Sequence, residues 1–159
     1  MNRTGKCLGT QQAKEYAFFL LKFRQRSAQE ILERLKKKQF PEQAIQETIS
    51  FLKDRKFIDD RAFARQWVES RINKPMGFRR LREELIRKGI DKGIIDSQFE
   101  EIKKDYDEEG IVAGIIRNKL VLFKGLDPQK AKRRLYAYLL RRGFSPDIVI
   151  EEINRIRYL

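Results

Sequence analysis

The chain has 159 residues, 41% of them hydrophobic and 37% charged, with one cysteine, no histidine and a formal net charge of +13. This composition excludes an internal disulfide and chemistry that depends on histidine, and no Gly-rich phosphate loop or nucleophile elbow occurs, so we predict a non-enzyme that needs no cofactor or metal ion. The basic surplus indicates a polyanionic partner, usually nucleic acid, although the charge could instead serve only to keep the protein soluble.

A helix-end pattern occurs three times along the chain, at Phe40, Ile90 and Phe144, with spacings of 50 and 54 residues. In each copy a leucine stands five residues before this position and a basic residue two before it. Aliphatic residues follow five and twelve residues after it. A period near fifty residues indicates a repeated structural unit. Units of this size are too small to bury a large core alone, so we expect them to stack.

The spacing of apolar residues on both sides of each helix end predicts three helices per unit. We predict a flexible tail over residues 1–12, followed by three-helix repeats over residues 13–57, 58–106 and 107–159. The expected fold is all-α, with three helix-turn-helix-like units stacked into an elongated, curved array.

In the first repeat, Ser27 and Glu30 have the spacing of a capping box and are predicted to begin the second helix. Pro41 stands at the cap position of the third helix. In the second repeat, Asp59 or Asp60 is predicted to cap the first helix. An acidic pair could also bind a metal ion, but no histidine, cysteine or further carboxylate lies at ligand spacing, so we favour the capping role.

Gly89 and Gly143 suit the left-handed position that ends a helix, and the first repeat has Gln39 there. The following helices are expected to begin at Asp91 and Ser145, which are good N-cap residues. These glycines are therefore interpreted as architectural.

Trp67 is the only tryptophan of the chain, and it could stack on a nucleic-acid base. It shares a predicted helix face with Phe63, Ala64 and Arg71, which favours a packing role instead.

The helix predicted to follow Asp127 is the most basic of the chain, and its cations alternate with Tyr136 and Tyr138 around a leucine seam. Its basic residues are Lys130, Lys132, Arg133, Arg134, Arg141 and Arg142. The corresponding helix of the second repeat carries Arg79, Arg80, Arg82, Arg87 and Lys88. A basic face on equivalent helices would form a continuous stripe along the array, and these eleven residues are our candidate contacts for a nucleic-acid backbone or a partner protein.

Residues 111–116 form the longest apolar run, which is too short to span a bilayer, and no signal peptide opens the chain. We therefore expect a cytoplasmic protein without membrane contact, and we expect a monomer.

The segment Phe57-Ile58-Asp59-Asp60-Arg61-Ala62-Phe63-Ala64, with Trp67, Gly77 and the run from Leu81 to Ile90, resembles the RecX family of recombination regulators. The resemblance extends over the chain from about Ala13, and Arg142-Gly143-Phe144 matches the family's third repeat. It implies three tandem three-helix repeats that bind the RecA recombinase filament on single-stranded DNA and restrain its ATPase and strand-exchange activities. It also implies a role in homologous recombination, DNA repair and the SOS response.

Two other functions fit the same charge and repeats. A general DNA- or RNA-binding helical protein, which could also take double-stranded DNA, would bind bare strands as tightly as filaments. A helical-repeat scaffold would bind a protein with little dependence on salt.

Overall fold

The computed structural model describes residues 9–72, 74–104 and 106–156, and these ranges contain nine α-helices and no β-strand. The helices are α1 Thr10–Phe23, α2 Ala28–Lys37, α3 Glu42–Asp54, α4 Asp60–Ile72, α5 Phe78–Arg87, α6 Lys92–Ile102, α7 Glu108–Leu122, α8 Pro128–Arg141 and α9 Pro146–Asn154. Within the described ranges, no helix has both the length and the apolar character that crossing a membrane would require. The predicted all-α fold is confirmed.

The nine helices pack in three successive triplets, and each helix lies along the two others of its own triplet. Each triplet encloses a separate apolar core. The aligned leucines Leu35, Leu85 and Leu139 are fully buried, one in each core. The repeat is therefore a three-helix bundle, as the periodicity predicts.

The middle helix of every repeat ends in the same turn. The backbone N–H groups of Phe40, Ile90 and Phe144 donate to the carbonyls of the three aligned leucines at 3.3, 3.1 and 3.3 Å. The residue before each donor has a positive φ: +73° at Gly89, +84° at Gly143 and +60° at Gln39. This hydrogen bond and φ are those of a Schellman C-cap, so the glutamine of the first repeat adopts the same turn at a conformational cost.

Most predicted caps are observed. Ser27 Oγ accepts from the N–H of Glu30 at 3.1 Å. The Asp59 carboxylate accepts from the N–H of Arg61 at 2.8 Å, so Asp59 rather than Asp60 caps α4. Asp91 caps α6 through the N–H of Gly93. Ser145 occupies the N-cap of α9 but makes no capping hydrogen bond with its side chain.

The capping box at Ser27 is only half formed, because the Glu30 carboxylate binds Arg24 and Lys88 instead of returning to the cap backbone. A charged hydrogen bond to a distant cation is stronger than one to an amide, and sequence spacing does not reveal that cation.

Two predicted boundaries shift. α1 begins at Thr10 rather than at Ala13, because the Thr10 hydroxyl donates to Glu47 on α3 at 2.6 Å and so fastens the extra turn. Ile58, predicted to open the second repeat, packs in the core of the first. The rest of the predicted tail, residues 1–8 with Cys7, lies outside the described residues.

Candidate nucleic-acid interface

The second and third repeats meet where the start of α5 lies on the end of α8. The N–H of Gly77 donates to the carbonyl of Arg142 at 2.9 Å, and the N–H of Arg79 donates to the carbonyl of Gly143 at 3.1 Å. The first N–H groups and last carbonyls of a helix have no partner within it, so each helix end satisfies the other.

Glycine permits this close approach. A Cβ atom on Gly77 would lie 2.2 Å from the carbonyl oxygen of Gly143, and one on Gly143 would lie 2.4 Å from the Cβ of Arg80. Both distances are far inside van der Waals contact, so a side chain at either position would push the helix ends apart.

The first and second repeats meet in the same way, with the start of α2 on the end of α5. The Ser27 hydroxyl donates to the carbonyl of Lys88 at 2.6 Å, and the N–H of Ala28 donates to the carboxylate of Asp60 at 2.9 Å. A Cβ atom on Gly89 would lie 2.2 Å from the Cβ of Gln29. The end of α8 therefore lies against the start of α5, and the end of α5 lies against the start of α2.

This arrangement brings basic residues of two repeats into one groove of about 280 Å³. Arg79, Arg80 and Arg87 line it from α5 together with Glu83 and Glu84, and Arg141 lines it from α8. All four arginine side chains were predicted contacts, and all four are exposed. The helix-end junction thus joins part of the predicted stripe across two repeats.

Two of these arginines are free to bind an anion. Arg80 pairs with Glu84 at 3.5 Å, and Arg87 pairs with Glu83 at 3.5 Å. Within the described part of the chain, no carboxylate lies within 4.0 Å of the guanidinium groups of Arg79 and Arg141. These two groups are the strongest candidates for phosphate contacts at the groove.

The remaining cations of α8 point in different directions. Lys132 and Arg133 line a groove of about 230 Å³ with Tyr136 and residues of α9. Arg134 lines another groove of about 280 Å³ with Lys119 of α7, and Arg141 reaches this groove too. Lys130 is exposed in the first turn, where its backbone N–H donates to Asp127. The cations of α8 therefore lie in separate grooves around the helix and do not form the single continuous stripe that was predicted.

Sequence reasoning did not single out Lys119. Its Nζ lies 4.3 Å from the centre of the Tyr138 ring, so it adds a cation to the groove between α7 and α8. No sequence signal identifies it, because the packing of α7 on α8 creates the contact.

Three of the predicted contact residues already bind other groups of the same chain. Arg82 pairs with Asp96 of α6 at 2.6 Å. Lys88 pairs with Glu30 of the first repeat, and the side chain of Arg142 donates to the carbonyl of Pro75 at 3.1 Å. The structure places these three residues in links between helices or repeats, not with the free cations.

Trp67 is half-buried and stacks on Phe63 with ring centres 5.8 Å apart. Its indole N–H donates to Glu84 at 3.1 Å, and the cations of Arg71 and Lys88 lie 4.5 and 4.9 Å from the ring. These contacts agree with the predicted packing role.

Over the described ranges, no group of three or more histidine, cysteine, aspartate or glutamate side chains is arranged to hold a metal ion. Asp59 and Asp60 instead bind backbone amides, at the start of α4 and at the first junction respectively.

Family models match each of the three repeats. The RecX first three-helix domain matches residues 13–52, the RecX second three-helix domain matches residues 59–97, and the RecX third three-helix domain matches residues 114–151.

Curated relatives match nearly the whole chain. It is 39% identical over 146 residues to the regulatory protein RecX of Chlorobium phaeobacteroides, covering 91% of this chain and 93% of that one. It is 32% identical to the regulatory protein RecX of Streptomyces coelicolor, covering 91% of this chain and 77% of the relative.

The fold is similar to that of solved structures. The crystal structure of RecX from Lactobacillus salivarius superposes with a TM-score of 0.80 over 92% of this chain and 96% of that one, at 21% identity. A second crystal structure, of a regulatory protein RecX, gives a TM-score of 0.81 at 22% identity, covering 92% of this chain and 73% of that one. The repeats, their sequence and their fold agree, and the chain belongs to the RecX family of regulatory proteins.

Proposed function

We propose that the protein binds the RecA recombinase filament on single-stranded DNA and inhibits its ATPase and strand-exchange activities, and so modulates recombination and repair in the cytoplasm. The protein acts by binding and carries out no catalysis. The groove at the junction of the second and third repeats carries the proposal, because guanidinium groups from two repeats, those of Arg79 and Arg141, line it without a carboxylate partner among the described residues.

The shape of the array suits a filament. The three middle helices contain 10, 10 and 14 residues, which amounts to about 50 Å of helix at 1.5 Å per residue. An array built on this length of helix can touch several successive phosphates or protein subunits. Its local charge also supports the proposal, because the last 49 residues carry 11 basic and only 4 acidic side chains.

The test is the ATPase rate of the recombinase on single-stranded DNA as the protein is titrated in. The test variant replaces Arg79 and Arg141 by glutamine, which removes both free guanidinium groups from the groove. The matched control replaces Arg61 and Arg65 by glutamine. Both side chains are exposed on α4, so this variant loses the same amount of positive charge away from the groove.

We expect the wild type and the control to inhibit at substoichiometric amounts, and the groove variant to need at least about tenfold more protein, as the loss of two charged contacts implies. All three proteins should unfold at the same temperature. Absence of inhibition by the folded wild type would refute the proposed function. Equal weakening by both variants would refute the role of the groove.

Bare-strand binding in the same buffer separates the proposal from the general nucleic-acid binder. A filament regulator binds the filament more tightly than the bare strand. Equal affinity for both would favour the alternative.

A further inference from the structure

Among the described residues, the large apolar side chains that the first repeat exposes are phenylalanines, and those that the other two repeats expose are aliphatic. In the first repeat these residues are Phe18, Phe19, Phe23 and Phe57. The exposed large apolar residues of the second and third repeats are Ile86, Val121, Leu122 and Ile150. Aromatic and aliphatic side chains both bury well against a protein, but only aromatic rings can stack on a nucleic-acid base.

Three of the phenylalanines of this repeat form one cluster at the surface. Phe18 of α1 packs edge-on to Phe57 with ring centres 4.9 Å apart, and Phe51 of α3 lies 6.4 Å from Phe18 and 6.3 Å from Phe57. Phe18 is 38% exposed and Phe57 is 52% exposed. We call these three rings the aromatic platform.

The backbone holds the platform in place. Phe57 follows Lys56, whose φ of +57° ends α3, and its N–H donates to the carbonyl of Leu52 at 2.8 Å. Phe18 lies in the interior of α1. Rings that are already ordered lose little conformational entropy when a ligand binds.

Basic residues flank the platform along the chain, and one of them contacts a ring. Lys14 and Lys22 stand one helical turn before and after Phe18, and the Nζ of Lys14 lies 4.2 Å from the centre of the Phe51 ring. Residues 53, 55 and 56 add three cations between Phe51 and Phe57. Glu15 and Asp54 are the acidic residues of α1 and of residues 51–57, so five cations stand against two anions there.

We propose that the aromatic platform binds single-stranded DNA by stacking bases on Phe18 and Phe57 while Lys14 and Lys22 contact the flanking phosphates. The inference deepens the proposed function, since it assigns a strand-binding site in the first repeat, far along the sequence from the arginine groove. Two separate contacts would let one molecule follow a strand along the array.

The other exposed aromatic pair among the described residues, Phe19 and Phe23, lies outside the platform. Phe19 is 55% exposed and packs against Phe23, with ring centres 5.0 Å apart. Phe19 therefore provides a matched control on the same helix.

The test compares binding of labelled oligo(dT) with binding of an abasic strand of equal length, which keeps the phosphates and lacks the bases. Anisotropy is measured with the full chain and without recombinase, so the result does not depend on the proposed inhibition. The variants are Phe18→Leu with Phe57→Leu, and Phe19→Leu as the control. Leucine keeps an exposed apolar side chain, and thermal unfolding checks the fold.

We expect the wild type to bind oligo(dT) at least about tenfold more tightly than the abasic strand, since the two stacked bases together are worth that or more. The platform variant should lose this preference and keep its affinity for the abasic strand, while Phe19→Leu should behave as the wild type. Lys22→Gln should weaken both strands and reduce the slope of log affinity against log salt by about 0.7.

Equal wild-type affinity for the two strands would overturn the proposal, and so would an equal loss in the Phe19→Leu control. A platform variant that binds oligo(dT) normally but inhibits the recombinase poorly would assign the surface to a protein partner instead. That result would reject the stacking site and leave the proposed function standing.

Discussion

Gly77→Ala is expected to loosen the junction between the second and third repeats while leaving each bundle folded. The backbone of Gly77 has a φ of −75°, which alanine adopts freely, so the substitution has no conformational cost at this position. The added Cβ would lie 2.2 Å from the carbonyl oxygen of Gly143 and 2.3 Å from the N of Phe144. Both are backbone atoms, and no rotamer change can relieve the overlap.

The magnitude follows from the contacts that must move. Restoring van der Waals distance separates the helix ends by about 1 Å, which breaks or weakens the hydrogen bonds from Gly77 and Arg79, worth about 1 kcal/mol each. The residual strain of overpacking adds about 1 to 3 kcal/mol. Reduced freedom of the unfolded chain offsets about 0.5 kcal/mol. We therefore expect a net loss of about 2.5 to 4.5 kcal/mol in the free energy of unfolding.

Urea denaturation followed by circular dichroism measures this loss. Gly125→Ala is the matched control, because Gly125 has a φ of +83° and a Cβ added there would have no atom within 4 Å, so this variant carries only the left-handed conformational cost of about 1 kcal/mol. Gly143→Ala combines both effects and should be the worst of the three. A Gly77→Ala protein within about 0.5 kcal/mol of the wild type, which is the usual range for a surface substitution, would refute the close helix-end junction.

Three further changes test other features. Gln39→Gly should raise the free energy of unfolding by about 1 kcal/mol in urea denaturation, because glycine adopts the φ of +60° without strain; a loss of stability would contradict the turn assignment. Burial alone would raise the pKa of Glu30, but hydrogen bonds from Arg24 and Lys88 outweigh it and hold the pKa at about 2, down from 4.5. The ionised Glu30 carboxylate should stabilise the fold by about 2 kcal/mol at this partly exposed site. This stabilisation should be complete above pH 4.5 and fade as the pH falls towards 2. Glu30→Gln should flatten the dependence of the free energy of unfolding on pH over that interval, and an unchanged profile would show that the two ion pairs contribute nothing. Leu85→Ala should lower the free energy of unfolding by about 2 to 5 kcal/mol, because it leaves a cavity in the second core. A loss below about 1 kcal/mol, measured by thermal or urea unfolding, would mean that the bundle repacks and fills the cavity.

The structure brings together only some of the residues of the predicted basic stripe. Arg79, Arg80, Arg87 and Arg141 lie together, as a basic face on equivalent helices implies. Arg82 could not be separated from them by sequence, because its partner Asp96 is on another helix and only the packing of α5 on α6 brings the two within 2.6 Å. Charge at a position is visible in the sequence, but whether that charge is already neutralised depends on contacts between elements distant along the chain.

The sequence by itself determined the number of helices, the three repeats and the turn that ends each middle helix. These features depend on local physics: apolar spacing, N-cap side chains and the left-handed position filled by Gly89 and Gly143. Only the tertiary structure decided how the repeats join. Gly77 has an ordinary negative φ, so no local rule distinguishes it, and its role becomes visible only when the end of α8, 65 residues away at Arg142, lies against it. The junction decides which arginines face a shared groove, because it aligns the helix ends of two repeats through backbone hydrogen bonds. The two partners of each such bond lie far apart in the sequence, so no short segment of sequence reveals them.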